Sequence, residues 1–214
     1  NTADDVGGGI RSLGNFTIVN STISGNASTG WMGGGFFHTD GVMNIVNSTI
    51  ANNTAPEGTG GGFVGTFTDA NATLTLANTL FAGNSGSQCF FAPWGGGVVK
   101  LTSLGHNVVT DATCAVPAPD ASDRIVGDAL LGPLADNGGP TLTHALLSGS
   151  PALDTADATR CPAVDQRGTA RPQGAGCDTG AYEAAPAARA AGLDGVPQSL
   201  PEGSTLYFLP LLQH

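Results

Sequence analysis

Residues 43–53, MNIVNSTIANN, restate residues 16–26, FTIVNSTISGN, and residues 74–84, LTLANTLFAGN, state the pattern a third time. Asn78 falls on Asn47 and Asn20, Leu76 on Ile45 and Ile18, Phe81 on Ile50 and Ile23, and Asn84 on Asn53 and Asn26. A second marker travels with the first. Glycine triplets followed by Ile10, Phe36 and Phe63 precede the three copies, and Gly95, Gly96 and Gly97 open a weaker fourth. Self-similarity at intervals of this length is the signature of a stacked repeat.

Within each copy the apolar residues alternate, which is the period of a strand. Each copy also holds a short apolar run after its glycines, so one repeat supplies two or three short strands separated by Gly, Asn and Ser turns. With no helical pattern between them, such strands pair in parallel by coiling, each turn about 4.8 Å above the last. The predicted fold is all-β: a right-handed parallel β-helix over residues 1–183 with irregular C-terminal coils, then a linker over 184–203 and an extended strand over 204–214. Equivalent residues then lie over one another. Ile18, Ile45 and Leu76 are expected to form one interior stack, Ile23, Ile50 and Phe81 another, and Asn20, Asn47 and Asn78 an amide ladder at a corner. Glycine triplets suit corners that need positive φ or close backbone approach; no Lys-Ser/Thr follows them, so they are not a phosphate cradle.

The composition agrees with a helix-poor chain: 33 glycines in 214 residues and only 11% charged residues. A net charge of −10 argues against nucleic acid and anionic membranes as partners, since both reward clustered Lys and Arg. Cys89, Cys114, Cys161 and Cys177 lack the spacing of a zinc site, and their even number suits disulfides in an oxidising, extracellular setting. Of three possible connectivities, 89 with 114 and 161 with 177 close the shortest loops. The sequence shows neither a signal peptide nor a membrane span and begins inside a repeat, so it reads as a mature or excised form, with no capping element ahead of Gly7.

Three strings in the second half, at 103–114 (SLGHNVVTDATC), 130–154 (LLGPLADNGGPTLTHALLSGSPALD) and 161–183 (CPAVDQRGTARPQGAGCDTGAYE), depart from the repeat. Together with the NSTISGN and GGG copies they resemble the bacterial exported β-helix proteins of the choice-of-anchor Q, or polymorphic-outer-membrane-repeat-like, type. The resemblance covers residues 6–183. It implies an exported β-helix with a C-terminal sorting or anchoring region and carries no established enzymatic chemistry. From the residues alone, Asp165, Arg167, Arg171, Asp178 and Glu183 suggest a bidentate ion-pair network that closes the last coil. Calcium bound by Asp136, Asn137, Asp154 or Asp157 is the one cofactor to weigh, although no calcium-loop spacing supports it.

Chemistry is sparse. The repeat face carries few acids and bases; His38 with Asp40 reads as a solvated loop pair, and His106, His144 and His214 lack ligand spacing. The expectation is a protein that is not an enzyme. Trp31, Phe36, Phe37, Phe63 and Phe67 lie in or near insertions at 28–32, 54–59 and 65–72, where they pack under loops or, in a second reading, stack on sugars as in a carbohydrate-binding adhesin; a glycan-degrading enzyme is a third. Among six sequons, Asn26, Asn52 and Asn71 fall at turns where a glycan is tolerated, while Asn20 and Asn47 are better used in the ladder. Residues 205–212, TLYFLPLL, form the most apolar octet of the chain. Leu206, Tyr207, Phe208, Leu209, Leu211 and Leu212 are too few to span a bilayer, Pro210 opposes a helix, and two placements are open: the segment folds back over an edge of its own coil or, the favoured reading, adds to the edge of another copy. The chain thus reads as a subunit of a secreted, cell-surface fibre or sheath whose partner is itself, assembled head to tail.

Overall fold

The computed structural model describes residues 1–56, 59–66, 73–92, 100–114 and 120–186. Its first half is a parallel β-solenoid. Each turn lays down three strands, one in each of three sheets. The first sheet stacks β2 (Ile10–Leu13), β6 (Phe36–Thr39), β9 (Phe63–Thr66) and β12 (Cys89–Ala92). The second stacks β3 (Phe16–Val19), β7 (Val42–Val46), β10 (Thr73–Ala77) and β13 (Lys100–Ser103). The third stacks β4 (Thr22–Ser24), β8 (Thr49–Ala51), β11 (Leu80–Ala82), β14 (Val108–Val109) and β15 (Arg124–Ile125). At one corner β1 (Thr2–Ala3) lies against β5 (Ala27–Ser28).

The register follows the sequence repeat. Phe16 pairs with Met43 and Ile18 with Ile45; Met43 pairs with Leu74 and Ile45 with Leu76. Ile23 pairs with Ile50, and Ile50 with Phe81. These inward columns form the lumen core together with Phe36 and Phe63, whose rings stack at 5.7 Å. Phe36 and Phe63 are therefore core residues rather than loop aromatics. Phe37 packs beside them in a cluster with Val6, Met32 and Val64.

Two corners recur in every turn. Between the second and third sheets the chain turns through Asn20, Asn47 and Asn78 at φ of 48°, 44° and 50°, the left-handed region that Asn tolerates better than most residues. His106, at φ 60°, occupies the fourth place in that series, because Leu80 pairs with Val108. Before the first sheet stand the glycine triplets. Gly7, Gly33 and Gly60 have φ of 69°, 72° and 66°, and a Cβ on Gly8, Gly34 or Gly61 would lie within 2.4 Å of a carbonyl oxygen of the next turn. The fourth turn departs from the expected phase. Phe63 pairs with Cys89, and its amide donates to Gln88 O, so the place of the triplet is taken by residues up to Gln88. Residues 95–97, expected to open that turn, lie outside the described ones.

The irregular C-terminal part does not stack as further rungs. After β15 an antiparallel pair, β16 (Leu131–Ala135) and β17 (Thr143–Leu146), leads into loops that lie along the outer face of the third sheet. That face is covered by a second apolar cluster, in which Leu80, Ala82 and Val108 meet Ala129, Leu146, Ala152 and Ala184.

Candidate functional site

The C-terminal lobe crosses the solenoid from top to bottom. Thr179 Oγ1 donates to His106 O in the fourth turn (3.0 Å), Gly180 N to Asn78 O in the third (2.9 Å), and Ala181 N to Thr49 Oγ1 in the second (3.0 Å). Three consecutive residues thus step down three turns. In the first turn, Thr22 Oγ1 donates to Gln166 Oε1 (2.7 Å), Asn20 Nδ2 to Val164 O (2.7 Å), and Ser24 Oγ lies 2.7 Å from His144 Nε2. Gly180 is required: its φ is 102°, and a Cβ there would stand 2.8 Å from Thr49 Oγ1.

The charged cluster of the 161–183 string holds this strut. Arg171 pairs with Glu183 at 3.1 Å, both side chains fully buried, and donates to Asp178 O and Gly180 O at 2.7 Å each. Arg167 pairs with Asp165 at 2.7 Å and stands 3.7 Å over the Tyr182 ring. The carboxylates also accept from backbone amides: Asp178 from Asp154 and Ala184, Glu183 from Gln173 and Asp178. Burial pulls the Arg171 pKa down, opposed by Glu183, Asp165 and Asp178. The network corrects the sequence expectation in two ways. It fastens a lobe along the flank instead of closing the last turn, and each arginine meets its carboxylate through a single oxygen, not as a fork.

His144 is buried, and its two nitrogens are engaged. Nδ1 lies 2.7 Å from Gly132 O, a pure acceptor, so Nδ1 carries the proton and in the neutral ring Nε2 accepts from the Ser24 hydroxyl. Beside this contact a groove of about 450 Å³ opens at the first turn. Asn20, Ser21, Thr22 and Ser24 line one side; Leu134, Thr141 and Leu142 line the other, with Gln166 between them.

The end face at the first turn is a separate feature. β2, β3 and β4 are each the outermost strand of their sheet. Phe16 stands in the lumen column, yet the residue is 37% exposed where Met43 and Leu74 above it are 0% exposed. Leu13 and Val19 are exposed on the same strands.

The expected ladder is present in part. Asn78 Nδ2 donates to Asn47 Oδ1 (3.0 Å), but Asn47 Nδ2 and Asn20 Oδ1 are buried with no hydrogen-bond partner among the described residues. A second, continuous ladder runs through Asn26, Asn53 and Asn84: Asn26 Nδ2 donates to Asn53 Oδ1 (3.0 Å) and Asn53 Nδ2 to Asn84 Oδ1 (2.9 Å). Asn26 is consequently buried and hydrogen-bonded, which corrects its reading as a glycan-tolerant turn. Asn52 is exposed at φ 55°; Asn71 lies outside the described residues, as do Phe67 and the segment 204–214 with Leu206, Tyr207, Phe208, Leu209, Leu211 and Leu212. Aligned repeats contained the signal for the second ladder, because the same three asparagines recur at one phase.

Cys89 is bonded to Cys114, tying the top turn, and Cys161 to Cys177 within the lobe, as an oxidising compartment allows. His38 is not solvated. It points into the lumen, fully buried, with Nδ1 2.8 Å from Ser12 Oγ, and burial lowers its pKa against the opposing pull of Asp40. The residues weighed for calcium are engaged locally: Asp136 caps Gly138 N, Asn137 holds Thr143, Asp154 accepts Gly176 N, and Asp157 accepts Thr159 N and pairs with Arg160. Among the described residues no three His, Cys, Asp or Glu side chains gather as a metal site. Nor does any helix among them have the length and apolarity to cross a membrane. Trp31 stands half-exposed on its loop.

No protein-family model, curated protein or solved structure matches the chain. What is established is the class: an all-β parallel solenoid with a disulfide-bonded lateral lobe.

Proposed function

We propose that the protein is a non-catalytic structural element of the cell exterior, a β-helical subunit of a surface fibre or sheath that associates head to tail, of the choice-of-anchor Q type that its C-terminal strings resemble. The observation that carries the reading is that turns of one repeat pair in parallel and in register, with β2, β3 and β4 left without a further partner strand among the described residues. Such a face is satisfied by a further parallel rung, and a second copy offers one with the same repeat. Contacts between unlike ends propagate into a fibre wherever the rotation between copies does not close a ring. The apolar sequence of residues 205–212 has the composition for strand addition to another copy. Two disulfides fit the exterior, and the acidic charge disfavours nucleic acid.

The test is negative-stain microscopy with sedimentation over a range of concentrations. Filaments or concentration-dependent oligomers are expected. Deleting residues 205–214 is expected to leave a folded monomer that no longer assembles. A full-length chain that stays monomeric at every concentration would overturn the reading.

A further inference from the structure

We infer that the groove at the first turn binds a neutral saccharide, a function separate from assembly. The size is appropriate: about 450 Å³ lies in the lower part of the range of roughly 300–1,000 Å³ for small-molecule pockets. Its chemistry selects the ligand class. None of the lining side chains is ionisable, so nothing in the groove compensates a charged ligand, and the protein's net charge of −10 repels an anion. What lines it instead are hydroxyls and two amides, those of Asn20 and Gln166. Thr22 Oγ1 and Thr141 Oγ1 stand 2.7 and 2.8 Å from the two ends of the Gln166 amide, a spacing close to that of neighbouring hydroxyls on a sugar ring, and each hydroxyl that already donates keeps an acceptor lone pair.

Apolar contact is supplied as well. Leu134 and Leu142 are 38% and 50% exposed, both on the hairpin wall facing the polar strand. One wall of methyl groups opposite one of hydroxyls matches a pyranose ring, whose C–H faces are apolar and whose rim is polar.

The polar wall is also rigid before any ligand arrives. Ser24 is fixed by His144, which is fixed by Gly132 O; Thr22 is fixed by Gln166 Oε1, whose Nε2 donates to Thr141 Oγ1 at 2.8 Å. Side chains already ordered lose little entropy on binding, which favours a weak but definite site. This site differs from the loop aromatics that the sequence offered for sugar stacking, since Trp31 is not among its lining residues.

The experiment is a chemical-shift titration of isotope-labelled protein with N-acetylglucosamine, cellobiose and, as the charged comparator, galacturonate. Shift changes are expected at Thr22, Ser24, Thr141 and Leu142 with at least one neutral sugar, and galacturonate is expected to bind about tenfold more weakly. Thr141→Trp fills the groove from its exposed rim and abolishes the changes. Leu142→Asp, which introduces charge without bulk, does the same if the first variant fails to fold. No shift with either neutral sugar overturns the inference, as do shifts that persist in the folded variants or that cluster at Trp31. Because the readout is residue-specific shifts in the groove of the full-length chain and not its oligomeric state, its failure leaves the fibre reading untouched, and the reverse holds for the assembly test.

Discussion

Asn53 makes four hydrogen bonds with one amide: Oδ1 accepts from Asn26 N and Nδ2, and Nδ2 donates to Ile23 O and Asn84 Oδ1. Removing it orphans buried groups on two neighbouring turns, so Asn53→Ala is expected to cost about 3 kcal/mol in urea denaturation. Its exposed neighbour provides the contrast. Asn52 holds φ 55°, the conformation that Gly25 and Gly83 hold at the same corner, so Asn52→Gly is expected to change stability by less than about 0.5 kcal/mol. His38 makes a pH-dependent contribution. Its folded pKa lies below the ordinary 6.5, so the unfolded chain binds its proton more readily; the stability it contributes is complete above 6.5 and is lost as the pH falls from there towards the folded value. Denaturation curves of wild type and His38→Gln are expected to diverge least under mildly acidic conditions and most at neutral pH. Parallel pH profiles would refute the assignment.

Among the elements, the third sheet shows what a repeat pattern reveals and what it conceals. Alternation and matching letters sufficed to place Ile18 over Ile45 and Ile23 over Ile50, because an inward position has the same surroundings in every turn. The outward positions of that sheet do not repeat. They run from Thr22 and Ser24 to Thr49 and Ala51, then Leu80 and Ala82, then Val108. Increasing apolarity on a face that should meet water is the mark of a covering layer, and it was legible once the inward phase was known. The groove was not, since its walls come from residues more than a hundred positions apart and meet only through tertiary packing. The covered face behaves as a core. Leu80→Ala is therefore expected to cost about 2–5 kcal/mol, as much as Ile45→Ala in the lumen, measured by the same denaturation. A loss within the range of ordinary surface substitutions would show that the lobe rests on the sheet without packing into it.

At the scale of the whole molecule, a solenoid whose turns touch only their neighbours unfolds as a one-dimensional array, with turns able to open separately. The lobe changes this, because Gln166, Ala181, Gly180 and Thr179 hold the first, second, third and fourth turns in one continuous piece of chain. Opening any single turn then strains contacts on the others, and the described chain is expected to unfold in one transition despite its repeats. Arg171 is the point at which to break the coupling. It is buried against Glu183 and pins the carbonyls of Asp178 and Gly180 on either side of the strut. Replacing it with Met leaves a carboxylate buried without its partner, at a cost of roughly 3–5 kcal/mol concentrated in the lobe. Native-state hydrogen exchange of Arg171→Met is accordingly expected to show amides of 127–186 exchanging through a separate, lower-energy opening, and those of β7 and β10 remaining protected longest. If both sets instead exchange at one common free energy in the variant, the lobe and the solenoid are coupled through the shared Leu80 and Val108 packing alone, and the axial strut is not what makes the fold cooperative.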